Sequence, residues 1–263
     1  MKLGLEGRIA LVAASSRGLG RAIADELARE GCDLVMCARS EGPLEEARAA
    51  IEAETGRRVL ARPTDIANES EVRALVEYAL SEFGRVDVLV TNGGGPPPGG
   101  LDDHGLDAWR AGAAVTLESV IGLVKGVLPG MRERGWGRIL NVTSIAVKQP
   151  VDGLLLSNSL RAAVTGFART LANEVAAEGI TVNNLMPGYT RTERLDELAG
   201  HIAERSGGTS QDAFDGWAAQ VPMGRVGEPA EFAALAAFLA SDRASYITAQ
   251  SIAVDGGWIR SIL

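Results

Sequence analysis

The sequence alternates short apolar runs with longer amphipathic segments along most of its length. Runs such as RIALVAA (8–14), CDLVMCA (32–38) and VDVLVTN (86–92) are nearly continuous in apolar residues, whereas the segments after them repeat apolar residues at helical spacing. Such runs indicate strands that are buried on both faces, and the periodic segments between them indicate helices. We therefore expect an α/β Rossmann fold, a doubly wound parallel sheet with helices on both faces and right-handed crossovers.

The same alternation continues to residue 187. Further strand-like runs are RRVLAR (57–62), GRILNVTS (137–144) and GITVNNLMP (179–187), and helical segments lie near 43–54, 68–83, 103–133 and 156–176. The chain has no internal repeat or linker, and 263 residues suffice for one large core, so a single domain over 1–263 is expected. Residues 190–226 lack strand signals. In this fold class such a segment is often a mobile lid over the substrate, and we predict a lid here.

The charge and composition exclude several classes of partner. The net charge is −8 and the pI is near 5.0, with no cluster of Lys and Arg, which argues against nucleic acid and membrane surfaces. The sequence has no run of about 18 apolar residues, the length that a membrane span requires. A soluble, cytoplasmic protein is therefore expected. Cys32 and Cys37 fit no metal site, and Cys37 is expected in the core. His104 and His201 lie in polar stretches and are expected to be solvated.

The segment AASSRGLGRAI (13–23) follows the first strand and contains a glycine turn. Gly18 and Gly20 open the next helix, where glycine lets the backbone approach a pyrophosphate and the helix N-terminus offers unpaired N–H groups. A short glycine motif is weak evidence alone, but its place in a strand–turn–helix unit strengthens it. The positions predicted to bind a dinucleotide here are Ser15, Arg17, Gly18, Leu19 and Gly20.

The end of the second strand indicates which dinucleotide is bound. NAD sites usually have a carboxylate about 20 residues after the turn, on the ribose 2′-hydroxyl. Here the strand ends MCARS (36–40), with Arg39 and no acid. Arginine can bind a 2′-phosphate through paired hydrogen bonds, and Arg17 adds a second cation. NADP(H) is therefore favoured over NAD(H), the alternative being that both arginines are solvated surface charges.

Five further motifs follow the glycine turn in order, and the ordered set is specific. They are TDI (64–66), TNGG (91–94), ILNVTS (139–144), MPGYTRT (186–192) and VDGG (254–257). With them the chain resembles the short-chain dehydrogenase/reductase family over essentially its whole length, and within that family the 3-oxoacyl-ACP reductases. The resemblance implies a Rossmann domain, usually a homotetramer, that transfers hydride between a nicotinamide and a small carbonyl or alcohol substrate.

The resemblance also implies roles for individual positions. Asp65 and Ile66 match the pair that contacts the adenine, and Asn92 with Gly93 match the turn beside the cofactor ribose. Ser144 matches the catalytic serine that positions the substrate oxygen. The stretch that holds the nicotinamide amide corresponds to Pro187, Gly188, Thr190 and Thr192.

The chain departs from the family's pattern at the catalytic positions. Ser157 stands where the family has its catalytic tyrosine, and Arg161 stands where it has lysine. Thr116 corresponds to the helical asparagine that supports this lysine through water. The glycine motif begins with AA (13–14) instead of Thr-Gly, which places a methyl group in the tight turn. The catalytic set that the resemblance implies is therefore Ser144, Ser157 and Arg161, the last also a cofactor-binding residue.

Ser157 and Arg161 share one face of their helix, which we expect to point toward the cofactor. Serine cannot replace a phenol of pKa near 10, because its hydroxyl is far less acidic and its side chain is a ring shorter. Arg161 can hydrogen-bond ribose hydroxyls and stabilise an oxyanion, but it gives up no proton. The alternatives for the proton are a water held by Ser144, Ser157 and Arg161, or Lys148, or Tyr189.

Two functions remain open from the sequence. The first is an NADP(H)-dependent oxidoreductase that reduces a carbonyl compound, with 3-oxoacyl compounds as one candidate, through an atypical Ser-Ser-Arg site. The second is a catalytically impaired NADP(H)-binding sensor or non-catalytic subunit. Retention of Ser144 favours the first, and loss of the phenol favours the second. A serine hydrolase is excluded, because the chain has no GxSxG elbow and no plausible histidine partner.

Two segments outside these motifs bear on ligand binding and assembly. The GGGPPPGG patch (93–100) follows a strand end, where loops of such sheets meet ligand, although a merely Pro-stiffened loop is equally consistent. The apolar C-terminus predicts a subunit contact, the alternative being a tail folded back on its own core. Its apolar residues are Trp258, Ile259, Ile262 and Leu263.

Overall fold

The strands form one sheet in which paired strands are parallel. The computed structural model describes residues 2–262, apart from the side chains of His201 and Arg205. The strands are β1 (Ile9–Val12), β2 (Asp33–Ala38), β3 (Val59–Pro63), β4 (Val88–Thr91), β5 (Gly137–Val142), β6 (Ile180–Pro187) and β7 (Ser251–Val254). Their order in the sheet is β3-β2-β1-β4-β5-β6-β7. The strand order therefore runs outward in two directions from the junction of β1 and β4. Ligands of such sheets bind at this junction, beyond the carboxyl ends of the strands.

Helices cover both faces of this sheet. They are α1 (Gly18–Arg29), α2 (Glu41–Thr55), α3 (Glu69–Phe83), α4 (Leu106–Ala113), α5 (Ser119–Arg134), α6 (Leu155–Val175), α7 (Glu193–Ser206), α8 (Ser210–Gln220) and α9 (Pro229–Ala240). The helical region predicted at 103–133 is α4 and α5, joined by a π-helical turn over Ala114–Glu118. Helix α9 and strand β7 were not predicted.

Two apolar clusters, one on each face, hold the helices to the sheet. On one face α1, α2 and α9 contribute buried residues such as Ile23, Ile51 and Phe232. On the other, α3, α5 and α6 contribute residues such as Leu75 and Val164. Each fully buried side chain of this size contributes about 1.5–3 kcal/mol to stability. The predicted doubly wound α/β fold is confirmed.

The helical run Leu106–Arg134 is long and apolar enough by length and composition to cross a membrane, although the sequence predicted no such stretch. Its apolar residues are used within the domain, since Leu123, Val124 and Val127 are buried with residues of α3 and the sheet. The run is therefore accounted for as a core helix.

The segment 190–226, predicted as a lid without strands, folds mainly as α7 and α8. The Thr192 side chain accepts a hydrogen bond from the Leu195 N–H and caps α7, and a capping box of Thr209 and Asp212 begins α8. Both helices are therefore ordered by local polar contacts, and an apolar cluster packs them together. Its buried residues are Ala199, Ala213, Phe214 and Trp217.

The apolar C-terminus is only partly available for a subunit contact. Trp258 is buried against Met186 and Val221, so this part of the tail folds back on its own core, contrary to the predicted exposure. Ile262 is 98% exposed, as the contact requires. Leu263 lies outside the described residues.

Candidate active site

The chain turns sharply between β1 and α1, and two glycines make this possible. Gly18 has a φ of +60°, and a Cβ on Gly20 would lie 2.2 Å from the carbonyl oxygen of Ala14. Asn92 Nδ2 donates to the same oxygen at 3.2 Å and fixes the turn. Ala14 itself has a φ of +48°, which favours glycine. The turn therefore forms despite the altered start of the motif, with one alanine in an unfavourable conformation.

Ser15 lies fully buried beneath the turn. Its hydroxyl donates to the Val12 carbonyl at 2.8 Å and its N–H donates to the Cys37 carbonyl at 2.9 Å. Ser15 therefore ties the turn to β1 and β2. Cys37 is in the core as predicted, where desolvation raises the pKa of its thiol to about 11.

The N-terminus of α1 is open to an anion. Arg17 at the N-cap makes no side-chain capping bond, and the first turn, which begins Gly18-Leu19-Gly20, holds no acidic residue. Leu19 packs against the apolar core and leaves the backbone free. The first N–H groups of a helix lack intrahelical partners and its dipole favours negative charge there, so these residues fit the pyrophosphate of a dinucleotide.

The two arginines predicted to bind a 2′-phosphate differ in their surroundings. Arg39 is exposed and has no ion pair within the described part of the chain. Arg17 is also exposed, but its Nη1 lies 2.9 Å from Oε2 of Glu193, the first residue of α7. Such exposed pairs are worth about 0.2–1 kcal/mol, so Arg17 can exchange Glu193 for a phosphate.

Residues after β3 and β4 form an adjoining wall. A Cβ on Gly93 would lie 3.1 Å from Cδ1 of buried Ile66 and 3.2 Å from the carbonyl oxygen of Val115. Asp65 accepts a hydrogen bond from the Ala67 N–H at 3.0 Å, which shapes the turn before α3. The structure thus brings together Ile66 and Gly93, and a side chain at position 93 would require these neighbours to shift by a few tenths of an ångström.

Arg161 bonds to the end of β5. Its Nη1 donates to the carbonyl oxygens of Val142 and Thr143, at 2.9 Å each. Burial, with a smaller effect from the nearby charge of Arg194, lowers the pKa of Arg161 to about 10. The guanidinium therefore stays charged at neutral pH, and its position is set by the backbone of β5.

The two predicted serines differ in what their hydroxyls contact. Ser144 follows β5, and its Oγ accepts a hydrogen bond from the Ala146 N–H at 3.1 Å while the residue stays partly exposed. Its O–H therefore remains free to donate. Ser157 lies in the first turn of α6, nearly buried, and its hydroxyl has no hydrogen bond to any described residue.

Thr116 lies in the π-helical turn between α4 and α5, beside Arg161. Its Oγ1 is buried and has no partner among the described residues. Thr116 and Arg161 both line a cavity of about 10 Å³, near the smallest space that holds one water molecule. A water there would join the two side chains, as the sequence comparison with the family's asparagine suggested.

Neither of the alternative proton donors has surroundings that favour that role. Lys148 is exposed on the turn after β5. The Tyr189 ring stacks on Trp217 at 5.5 Å and meets the edge of Trp258 at 6.0 Å. Burial raises the pKa of Tyr189, which makes its phenol a weaker acid than usual.

The stretch after β6 passes close to the glycine turn. A Cβ on Gly188 would lie 2.7 Å from Cα of Asp255, so glycine is required beside β7. Thr190 is buried, and its hydroxyl donates to the Gly188 carbonyl at 3.3 Å. A Cβ on Gly18 would lie 3.7 Å from Cγ2 of Thr192. The stretch that Pro187 begins therefore reaches the glycine turn.

The 93–100 loop is fixed to the start of α6. The Gly99 N–H donates to the Gly153 carbonyl at 2.6 Å, and the Leu155 N–H donates to the Gly99 carbonyl at 3.2 Å. A Cβ on Gly99 would lie 2.6 Å from His104 Nε2, which is buried without a partner in the described structure. His104 is partly exposed, so the predicted solvation holds for part of its ring, while its Nε2 side packs on this loop. The prediction for His201 falls on a side chain outside the described residues.

Sequence reasoning missed Arg194, in the first turn of α7. Its Nη2 donates a long hydrogen bond of 3.4 Å to the Pro96 carbonyl. A Cβ on Gly95 would lie 3.1 Å from Nη2 of Arg194 and 3.7 Å from Nη2 of Arg161, so the two guanidinium groups converge on Gly95. No sequence motif signals this contact, because it depends on how α7 packs over the 93–100 loop.

Known proteins share this architecture throughout. A family model described as Enoyl-(Acyl carrier protein) reductase matches residues 13–259. The 3-oxoacyl-(acyl-carrier-protein) reductase of Salmonella typhimurium is 36% identical over 255 residues, 97% of this chain and 98% of that protein. The L-sorbose reductase of Gluconobacter frateurii, solved with NADPH and L-sorbose, matches with a TM-score of 0.96 and 33% identity over 100% of both chains. An actinorhodin polyketide ketoreductase solved with NADPH matches with a TM-score of 0.92 and 34% identity, over 97% of this chain and 98% of the ketoreductase chain.

The sheet, its switch point and the open N-terminus of α1 define an α/β protein of the dinucleotide-binding class. The matches extend over nearly the whole chain, so the resemblance predicted from the ordered motifs is confirmed. The chain belongs to the short-chain dehydrogenase/reductase family.

Proposed function

We propose that the protein is an NADP(H)-dependent reductase of small carbonyl compounds. The observation that carries this proposal is the acid-free N-terminus of α1, without a side-chain cap, at the switch point of the sheet. Arg39, just after β2, has no ion pair among the described residues. The NADPH complexes of two structural neighbours support the choice of cofactor. When bound, the reduced nicotinamide supplies a hydride. Relatives named as 3-oxoacyl reductases make 3-oxoacyl compounds one candidate substrate class.

In this proposal the chain's own polar groups hold the substrate oxygen and its developing charge. Ser144 donates its hydroxyl proton in a hydrogen bond to the carbonyl oxygen, and the Arg161 charge stabilises the oxyanion. Ser157 replaces the phenol of the relatives, which leaves space for a water or a bulkier substrate. Since the pKa of Tyr189 is raised, we propose that a water held by Ser144, Ser157 and Arg161 relays a proton from bulk solvent to the alkoxide oxygen, and the solvent returns the proton to this water. Loss of a positioned acid typically costs about 100- to 10,000-fold in rate, so slow turnover is expected.

A second candidate is an NADP(H)-binding sensor or non-catalytic subunit. The absence of a phenol at position 157 and the packing of Tyr189 against Trp217 favour it. NADPH binding is measured by fluorescence titration, and NADPH oxidation is followed with a panel of ketones, oxo acids and acyl thioesters. Binding with turnover supports the reductase. Tight binding without turnover of any substrate supports the sensor, and the absence of binding contradicts both.

The double variant Ser157→Tyr with Arg161→Lys separates the two candidates further. If the present site is a decayed one, the double variant creates or raises activity. If the Ser/Arg arrangement has chemistry of its own, the double variant lowers an existing activity. The single variant Ser157→Ala is the matched control, since it removes the hydroxyl without adding a phenol.

We further propose a cytoplasmic homotetramer, as the family resemblance implies. Exposed Ile262 and the fully exposed Tyr246 are available for contacts between subunits. Light scattering coupled to size-exclusion chromatography tests this proposal, and a monomeric mass would contradict it.

A further inference from the structure

Two positive charges converge at the mouth of the cleft without an acidic partner. Nη2 of Arg194 and Nη2 of Arg161 both lie close to where a Cβ on Gly95 would stand. In the described part of the chain, neither guanidinium lies within ion-pair distance of a carboxylate. Nearby arginines are paired: Arg191 lies 3.9 Å from Asp196.

This arrangement is unfavourable in the absence of an anion. The charge of Arg194 adds to burial in lowering the pKa of Arg161, which records the repulsion between the two groups. Arg161 uses Nη1 for the carbonyls of β5, so its Nη2 stays free of hydrogen bonds to described residues. Arg194 makes one long bond to Pro96. The N–H groups that remain free therefore face a common space beside Gly95.

The chemistry of two converging guanidinium groups favours a carboxylate. Guanidinium groups bind carboxylates through paired, charge-assisted hydrogen bonds, and an anion between two of them removes their repulsion. The pyrophosphate of a dinucleotide has a separate place at the N-terminus of α1, near Gly18. Arg161 bonds to the end of β5, and Ser144, which is proposed to hold the substrate carbonyl, follows the same strand. A group bound by both arginines would therefore lie beside the proposed carbonyl site.

We propose that Arg161 and Arg194 bind the carboxylate of an oxo acid, whose ketone is placed at Ser144 for reduction to the hydroxy acid. This inference rests on the proposed reductase function and narrows its substrate class. Oxo acids with a free carboxylate near the ketone are preferred over neutral esters and acyl thioesters. Arg194 is then a specificity-determining residue that sequence motifs do not identify.

The test compares acetoacetate with its methyl ester, which differ in the carboxylate charge. Their affinities for the protein with bound NADP⁺ are measured by isothermal titration calorimetry, so the readout does not depend on turnover. The variants are Arg194→Gln, the charge-preserving Arg194→Lys, and the control Arg191→Gln, which removes a paired charge from the same segment. Affinity for NADPH is measured for each variant. Because Arg194 is exposed on the first turn of α7, its variants are expected to fold.

The proposal predicts that the unmodified protein binds acetoacetate more tightly than the ester. Arg194→Gln weakens acetoacetate binding about 10- to 100-fold, the effect of one charged hydrogen-bonding group, and leaves the ester and NADPH unchanged. Arg194→Lys retains part of the preference, and Arg191→Gln retains all of it.

Three results would overturn this inference. The first is that the unmodified protein binds acetoacetate and its ester with equal affinity. The second is that Arg194→Gln weakens the binding of both compounds equally. The third is that Arg194→Gln weakens NADPH binding and leaves the preference for acetoacetate unchanged. The last would assign the arginine pair to a cofactor phosphate. Failure of the unmodified protein to bind NADPH contradicts the proposed function itself, and is thus distinguished from failure of the carboxylate site alone.

Discussion

In our proposal, the two ends of the cleft have kept different amounts of the family's usual chemistry. At the cofactor end, the turn before α1 retains Gly18 and Gly20, and the binding groups are backbone N–H groups with a helix dipole. At the proposed reaction end, side chains carry the chemistry, and Ser157 and Arg161 stand where the family resemblance implies a tyrosine and a lysine. A site built from backbone tolerates the nearby Ala14, whereas a site built from side chains changes its chemistry with each substitution.

The comparison predicts its largest effect for Arg161→Met at the reaction end. Removing the charge that stabilises the oxyanion is expected to lower kcat about 100- to 1,000-fold, while the Kd for NADPH changes less than about tenfold. Stopped-flow kinetics and fluorescence titration give the two values, and Arg161→Lys is the control that keeps a positive charge. An equal loss in kcat and in NADPH affinity would show that the two ends are not separable.

Arg39→Ala is the matching change at the cofactor end. Loss of a charged donor to the 2′-phosphate is expected to weaken NADPH binding about 10- to 100-fold, with NADH binding and kcat at saturating NADPH unchanged. Titrations with both dinucleotides measure this. If the affinities for NADPH and NADH fall together, Arg39 has no contact with the 2′-phosphate.

Ala14→Gly tests whether the altered turn is strained. A left-handed alanine costs about 1–2 kcal/mol, of which the extra freedom of glycine in the unfolded chain offsets part. We expect a rise in Tm of about 1–4 °C by calorimetry, with NADPH affinity retained. Ala13→Gly is the control, because Ala13 is buried outside the left-handed region and its variant should lower Tm. A lower Tm for Ala14→Gly would contradict the strain.

The smallest effect is expected for Glu193→Gln. This change frees Arg17 from its exposed ion pair with Glu193. We expect NADPH affinity to rise about two- to fivefold, which corresponds to the free energy of such an exposed pair. Titration at low ionic strength measures it, and the Kd for NADH should not move. An unchanged Kd for NADPH would mean that Arg17 does not bind the 2′-phosphate.

Sequence reasoning succeeded where a local pattern determines the structure. The strands β1 to β6 and the turn at Gly18 follow from apolar runs and glycine spacing. Helix α9 was missed because it is apolar on nearly all sides: Ala234 is exposed and Leu235 and Phe238 are only partly buried, so no amphipathic period marks it.

The parts of the site that were missed depend on contacts between distant segments. Ser15 was predicted to bind the cofactor, and the bond from its hydroxyl to the Val12 carbonyl is not evident from the sequence. His104 lies in a polar stretch, yet its ring packs on Gly99. Arg194 meets Arg161 only because α7 folds over the 93–100 loop. Neither composition nor spacing contains this information.

The pH dependence of single-turnover hydride transfer, at saturating NADPH, tests most directly the claim that the reaction end works without a side-chain acid. Burial lowers the pKa of Arg161 from its usual range to about 10. Its positive charge is therefore present at neutral pH and is lost as the pH rises through about 10. We predict a constant rate from about pH 6 to 9 and a fall as the pH passes about 10. A rate that falls with an apparent pKa between about 7 and 9 would reveal a titrating proton donor and contradict the account.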